Sequence, residues 1–262
     1  KTKSMKKIIL SVSFLLITLS GIFAQDAKKI KTYLDAKQYD KAKIEVDAAI
    51  AKNPSDPIAL YYKSKVYAEF AADPAFKVSV PDAREQALEA FKKAVETDKD
   101  NKVFLVLAQD KYKPIFDMYT GYYDAGAAAF NSGSTSGNKA DFDQSLTLFK
   151  NSDMVGRYIF SKKLALSELD TQLVLTIGKA AINAGKKDEA VTDLKKLADA
   201  NITGTANDKT SYQLPYQWLS FYYKDAKDEA NFLKYIALGK KNFPKDDYYD
   251  AILLDYYREK KD

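Results

Sequence analysis

One amphipathic segment recurs five times along this chain and limits its fold more than any other feature. In each copy, apolar residues return at three- and four-residue spacing, which is the period of an amphipathic α-helix. Each copy also has a small residue at the same place, which lets a neighbouring helix approach closely. The copies are YDKAKIEVDAAI (39–50), REQALEAFKKAV (84–95), FDQSLTLFKNSD (142–153), KDEAVTDLKKLA (187–198) and KDEANFLKYIAL (227–238), and their small residues are Ala42, Ala87, Ser145, Ala190 and Ala230. The pattern predicts an all-α fold of repeated helices.

The copies are unevenly spaced, because 45, 58, 45 and 40 residues separate their small residues. Residues 68–83 contain two prolines and residues 132–140 are rich in Gly and Ser, so both are interpreted as lengthened turns, the second of them flexible. The longest gap predicts an extra helix near 102–113, ended or kinked by Pro114. A closing helix is predicted over 246–260.

The unit from Thr171 to Gly204 has the most complete pattern. Its apolar and small positions are Val174, Ile177, Gly178, Ala190, Leu194 and Leu197, with a turn at Gly185. This order resembles the tetratricopeptide repeat, a pair of antiparallel helices with a period of about 34 residues. The resemblance covers most of residues 26–244. It implies an α-α superhelix, a solenoid of about five helix pairs over 25–262. In the fifth unit Ala230 and Ala237 arrive two residues early, so its register stays open.

The resemblance implies a binding surface without catalysis. In tetratricopeptide proteins the first helices of the pairs line a concave groove that holds a peptide or a helix of another protein. Position by position, the groove residues would be Tyr61, Lys65 and Glu69 in the second unit, Tyr123 and Asn131 in the third, Lys179 and Asn183 in the fourth, and Gln217 and Phe221 in the fifth. Lys179 and Asn183 lie four residues apart on one helical face, where both are placed to hold a carbonyl or carboxylate oxygen. The alternative for each residue is a solvated surface side chain.

The aromatic residues, 19 Tyr and 14 Phe, are concentrated in clusters around 119–123, 212–223 and 248–257. We interpret them mainly as core residues, since several occupy positions where the repeat requires bulky side chains. The alternative is an aromatic platform for a peptide or a sugar. Trp218 is the best candidate for such a platform, because the favoured register places it off the main contact face.

Two absences exclude several classes of enzyme. The chain has no Cys and no His, which excludes disulfides, a Cys/His zinc site, a thiol nucleophile and a His-dependent triad. The segment Asp98–Asn101 resembles the opening of a calcium loop but lacks its Gly and distal Glu, so it is interpreted as a turn. We therefore predict no catalytic residue, no metal site and no cofactor.

The first 24 residues have the order of a secretory signal peptide. Lys6 and Lys7 follow Met5, the expected initiator, and precede the apolar stretch 8–19, which is shorter than the roughly 20 residues of a spanning helix. Ala24 ends the segment. No Cys follows that could receive a lipid, so cleavage predicts an exported, periplasmic or secreted protein over 25–262 with no lipid anchor and no membrane span. The residues after Ala24 have 37 basic and 36 acidic side chains, which argues against a nucleic-acid partner.

These observations favour a non-catalytic exported adaptor that binds a protein or peptide, and we expect it in the cell envelope. A glycan- or nutrient-binding accessory protein of the outer membrane or periplasm is the first alternative. A hydrolase that uses carboxylates ranks last.

Overall fold

The computed structural model describes residues 26–76, 78–164 and 169–260; the expected signal peptide, residues 1–24, lies outside them. All regular secondary structure in the described ranges is helical, which confirms the all-α prediction. The helices are α1 (26–35), α2 (Tyr39–Lys52), α3 (Pro57–Ala72), α4 (Ala83–Thr97), α5 (Lys102–Gln109), α6 (Lys113–Ser136), α7 (Lys139–Ser161), α8 (Thr171–Asn183), α9 (Lys187–Asp199), α10 (Gln213–Asp225), α11 (Glu229–Asn242) and α12 (Tyr248–Glu259). They form two compact units, unit 1 up to Pro114 and unit 2 from Ile115. A single repeat domain over 25–262 stays a prediction.

Unit 1 is built around α3, which packs against α2, α4 and α5. The helix begins at Pro57, where the side chain of Asp56 accepts a hydrogen bond from the backbone N–H of Ile58. Half of its 16 residues are buried, so α3 is a central helix and not a one-sided surface helix. The buried residues include the predicted core positions Leu60, Ser64 and Tyr67.

The insertion expected over 68–83 is partly helical, because α3 continues to Ala72 and α4 begins at Ala83. The loop between them is anchored by an aromatic contact. The ring of Phe76 lies 4.5 Å from that of Phe70 and 6.1 Å from that of Tyr39, measured between centroids. This loop therefore extends the core at one end of α3.

The extra helix α5 ends at Gln109. Pro114 lies in the first turn of α6, where its missing N–H is harmless, so the prediction that it ends or kinks the extra helix is wrong. At the start of α5, the two carboxylate oxygens of Asp98 accept hydrogen bonds from the N–H groups of Lys102 (2.7 Å) and Val103 (2.9 Å). The acidic segment before α5 is thus a helix-capping turn.

The prediction of a flexible turn over 132–140 is also wrong. The helix α6 continues to Ser136, and only Gly137 and Asn138 separate it from α7. Gly137 has a φ of +71°, a conformation that favours glycine, and the side chain of Asn138 accepts a hydrogen bond from the N–H of Ala140.

Two properties of this stretch allow it to be helical. Its hydroxyl groups find partners within the helix; for example, Ser134 donates to the carbonyl of Phe130 at 2.9 Å. Its glycine is a packing residue, because a Cβ atom on Gly133 would lie 3.1 Å from the ring of Phe142 on α7. Composition alone indicated a turn, whereas the contact with α7 stabilises a helix.

In unit 2, α8 and α9 form a helix pair with the predicted positions buried. These are Val174, Ile177, Gly178, Ala190, Leu194 and Leu197. Gly185 has a φ of +71°, and the N–H of Lys186 donates to the carbonyl of Ala181, which closes the end of α8. The next pair, α10 and α11, packs against α9 and α12.

The small residues of the first four copies are at most 2% exposed, as predicted. In the fifth copy Ala230 is exposed, and Phe232 is buried in its place. The cause lies at the helix start. Lys187 is the first residue of α9, but the corresponding Lys227 has a φ of +57° and belongs to the turn before α11. The register of the fifth copy is therefore shifted by two residues.

Candidate functional site

The nine predicted groove residues lie on four helices. Tyr61, Lys65 and Glu69 are on α3 in unit 1, and Tyr123, Asn131, Lys179, Asn183, Gln217 and Phe221 are on α6, α8 and α10 in unit 2. Their surroundings differ widely, and the differences decide which of them present a surface to a partner.

The three residues of α3 are mostly occupied by contacts within unit 1. Tyr61 is 2% exposed, so its ring offers almost no surface to a partner. The Nζ atom of Lys65 lies 2.6 Å from a carboxylate oxygen of Asp110, and 14% of this lysine side chain is exposed. Glu69 is exposed and accepts a hydrogen bond from the hydroxyl of Tyr39 at 3.0 Å.

Asp110, just after α5, is a charged residue that the sequence did not single out. Its carboxylate oxygens lie 2.6 Å from the Nζ atom of Lys65, 3.4 Å from that of Lys31 and 3.4 Å from the hydroxyl oxygen of Tyr61. The same Lys65 atom lies 5.7 Å from the ring centroid of Tyr62, within cation–π range. Burial acts to raise the pKa of Asp110, but hydrogen bonds and charge from Lys65 and Lys31 outweigh it and hold the pKa below its ordinary value. The carboxylate is therefore charged at neutral pH.

On α6 and α8 the predicted residues are more accessible. Tyr123 is half-buried with its ring 5.5 Å from that of Phe149, and Asn131 is exposed. Lys179 is half-buried and Asn183 is exposed. The side-chain amide of Asn183 donates to the backbone carbonyl of Lys179 at 2.8 Å. This amide is thus engaged by its own helix, and the joint contact of Lys179 and Asn183 with a partner's oxygen stays a prediction.

On α10, Gln217 and Phe221 have opposite roles. The Gln217 side chain donates to a carboxylate oxygen of Asp246 at 2.7 Å, and its backbone carbonyl accepts from the hydroxyl of Tyr248, so it links α10 to the start of α12. Phe221 is 54% exposed, which is unusual for a large apolar ring. Among the predicted groove residues it offers the largest apolar surface to solvent.

Phe221 borders a depression of about 540 Å³ at the ends of α10 and α12. Charged side chains surround the ring, and two ion pairs fix them: Lys224 with Glu259 at 2.6 Å, and Lys260 with Glu229 at 2.7 Å. The depression therefore combines an exposed aromatic ring with a charged rim. Sequence reasoning predicted Phe221 but not the residues of α12 that complete this depression.

Most of the aromatic clusters form the core, as interpreted from the sequence. Buried members are Tyr122, Tyr212, Tyr216, Tyr223, Tyr249 and Tyr256. Trp218 is half-buried and packs against the core around α8 and that around α10, with its ring stacked on Tyr222 at 5.4 Å. The hydroxyl of Tyr222 donates to Asp188 at 3.1 Å. Trp218 therefore joins neighbouring helix pairs and is not a free platform.

A second depression in unit 2, of about 500 Å³, lies between α7 and α9 over Met154 and Ile177. Its charges are paired with one another. The three pairs are Arg157 with Asp153, Lys196 with Asp193, and Lys150 with Glu189. Because these cations are already matched, the depression gives no sign of the ligand it would take.

No three His, Cys, Asp or Glu side chains are grouped as metal ligands in the part of the chain that the structure describes. None of the helices described is both long and apolar enough to cross a membrane.

No protein-family model and no curated protein matches the sequence. Similar solved structures include the TPR domain of P58(IPK), with 18% identity and a TM-score of 0.43 over 90% of this chain and 65% of that domain. PilW, a type IV pilus biogenesis factor, matches at 12% identity and a TM-score of 0.34 over 87% of this chain and 96% of its own. Pseudomonas aeruginosa pilF matches at 16% and 0.32, over 88% and 96%.

At these TM-scores the likeness is too low to transfer a function. The class of protein is defined by the chain's own helices. Consecutive helices pack against one another in pairs, with small or glycine residues where they approach, so the described residues form an all-α helical-repeat fold.

Proposed function

We propose that this protein is a non-catalytic exported adaptor of the cell envelope, which binds a segment of another protein or peptide on its first helices. The observation that carries the proposal is Phe221 on α10, with 54% of its surface exposed beside a depression with a charged rim. Exposed aromatic rings bordered by polar side chains are typical anchors of protein interfaces. The surface is also large enough to receive an apolar side chain of a peptide.

The first experiment identifies the partner and tests the anchor. A photo-crosslinking amino acid introduced at the exposed position 227, which borders the same depression, captures the partner in the native envelope. Calorimetry then measures the affinity of that partner for the purified mature chain. We expect Phe221→Ala to weaken binding at least tenfold, about 1.4 kcal/mol. The control is Ile44→Ala. Ile44 is also apolar and exposed, at 65%, but it lies on α2, the second helix of its pair, which is outside the proposed binding surface.

The results separate the candidate functions. Equal affinity of the wild type and Phe221→Ala would place the binding surface elsewhere. Absence of any protein partner, together with calorimetric binding of an oligosaccharide, would favour the glycan-binding alternative. Turnover of a substrate that one Asp or Glu substitution abolishes would contradict the non-catalytic assignment.

Export is tested by mass spectrometry of the protein recovered from the envelope fraction. We expect the mature chain to begin at Gln25, because Ala24 is the small residue that ends the signal-like segment. An intact leader on the envelope form would contradict cleavage.

A further inference from the structure

The short helix α5 lies on α3, and Asp110 at its end also reaches Lys31 of α1; we call this surface the α1/α3 face. The helix has eight residues and contacts α3. Val103 and Leu107 are fully buried, whereas Leu105, between them in sequence, is 59% exposed. The helix therefore packs on unit 1 through one side and leaves an apolar residue, Leu105, in solvent on the other.

The charged contact of α5 uses the residues expected to bind a partner. Asp110 bonds to Lys65 and lies within reach of Tyr61, both of which the repeat resemblance assigned to the groove. Lys31, on the preceding first helix α1, approaches the same carboxylate at 3.4 Å. A segment of the chain itself thus occupies the place and the cations that an external carboxylate would use.

The backbone adopts the left-handed conformation on both sides of α5. Asn101 before the helix has a φ of 56°, and Lys111 and Tyr112 after it have φ values of 54° and 60°. Residues with a Cβ atom adopt the left-handed region at a cost, and two such residues in succession are rare. Lys111 closes α5 as comparable left-handed residues close other helices of the protein, so the adjacent Tyr112 is the residue whose strain is specific to this end of α5.

We propose that α5 is an intramolecular ligand, an autoinhibitory segment that fills the α1/α3 face until a partner's short helix with a carboxylate near its C-terminal end displaces it. The inference rests on the proposed function, because it assumes that first helices bind a partner. It adds regulation: Lys31 and Lys65 become available only when Asp110 leaves.

Hydrogen exchange of the full chain tests whether α5 detaches on its own. In Asp110→Asn we expect backbone amides of 104–109 to exchange at least tenfold faster, with α3 and α4 unchanged. The matched control is Asp100→Asn, which removes the same charge from the other end of α5, where Asp100 is exposed and pairs only with nearby Lys102 in the described contacts. Faster exchange throughout α3 and α4, or loss of helix in unit 1, would show that α5 is a fixed part of the core and overturn the proposal.

A peptide with the chain's own residues 98–113 then tests the face as a binding site. Labelled with fluorescein, it is titrated with the full-length protein and followed by anisotropy. We expect at least tenfold tighter binding to Asp110→Asn than to the wild type, where the attached α5 competes at high effective concentration. Adding Lys65→Met should reverse the gain. Equal binding to wild type and Asp110→Asn, or no binding to either, would overturn the proposal.

These outcomes are independent of the partner search. If the peptide binds as expected but no envelope protein is captured, the proposed function fails while the self-occupied face remains. If a partner is captured and the peptide does not bind, the adaptor function stands and the role of α5 is contradicted.

Discussion

At the scale of a single residue, the pairing of α8 with α9 depends on Gly178. A Cβ atom at this position would lie 2.3 Å from the Cδ2 atom of Leu194. Leu194 is fully buried, so its side chain has little room to move away. The close approach of α8 and α9 therefore requires glycine at this position, although glycine destabilises a helix where no such contact exists.

We expect Gly178→Ala to lower the free energy of unfolding by about 1–3 kcal/mol, as overpacking of a core does. The matched control is Gly121→Ala on α6, where a Cβ atom would have no described neighbour within 4 Å. That change should raise stability by about 0.5–1 kcal/mol, because alanine favours helix. Urea unfolding followed by circular dichroism measures both, and stabilisation by both substitutions would show that α8 and α9 are not in tight contact.

Tyr249 is a second residue whose side chain affects the stability of the folded state in a specific way. Its ring packs on Gly239, but its buried hydroxyl has no hydrogen-bond partner among the described residues. Burial raises its pKa, so the hydroxyl stays protonated. An unpaired buried polar group destabilises the folded state.

Tyr249→Phe should therefore raise the free energy of unfolding by about 1 kcal/mol, since it removes the unpaired hydroxyl and keeps the ring. Tyr235→Phe is the contrasting control, because the Tyr235 hydroxyl donates to Asp199 at 2.9 Å and its loss should destabilise by a similar amount. Thermal unfolding compares the two. A lower melting temperature for Tyr249→Phe would show that the hydroxyl is paired, for example with a bound water.

At the scale of the helix, a common device ends many of these elements. The N–H groups after the helix bond back to its last turn while one residue takes the left-handed conformation. The left-handed residues that close helices in this way are Lys37, Lys111, Lys163, Gly185, Asn201 and Lys227. Glycine, which suits that conformation best, occupies one of these six positions, so several helix ends are under strain.

Lys227→Gly should stabilise the protein by about 1 kcal/mol, because it removes the left-handed strain between α10 and α11. Lys227→Ala is the control: it removes the same charge but keeps the Cβ atom, and we expect no comparable gain. Differential scanning calorimetry gives the melting temperature of each variant. Equal stabilisation by Gly and Ala would assign the effect to the lysine charge.

The same helix ends explain what the sequence could and could not predict. Helix interiors follow a local period, so buried positions such as Ala190 and Leu194 were predicted correctly. The start of α11 depends on which residue turns left-handed, and Lys227 carries no glycine signal, so Ala230 was misplaced. The pairing of Lys65 with Asp110 joins residues 45 apart in sequence, and no local pattern contains it.

At the scale of the whole molecule, two sets of ionisable groups have shifted pKa values: carboxyl groups that titrate at acid pH and tyrosines that titrate at alkaline pH. The chain has no His, the side chain whose ordinary pKa lies between about 5 and 8. Burial alone would raise the pKa of Asp110 and of Asp199. Contacts with lysines outweigh burial and hold the pKa of each carboxyl below its ordinary value. Burial raises the pKa of Tyr216 to about 12 and also raises that of Tyr235.

Both sets stabilise the folded state at neutral pH. A carboxyl with a lowered pKa binds its proton more readily in the unfolded chain, so its contribution is lost as pH falls below about 4. A tyrosine with a raised pKa ionises first in the unfolded chain, so stability is lost as pH rises above about 10.

We therefore expect a melting temperature that is constant between about pH 5.5 and 7.5 and falls on both sides, below about pH 4 and above about pH 10. Thermal unfolding across this range measures it. Asp110→Asn should make the acid limb shallower, because one depressed carboxyl no longer titrates, whereas Asp100→Asn, with its side chain 70% exposed, should leave the limb unchanged. A step in melting temperature between pH 6 and 7 would contradict the assignment, since the chain has no histidine to cause it.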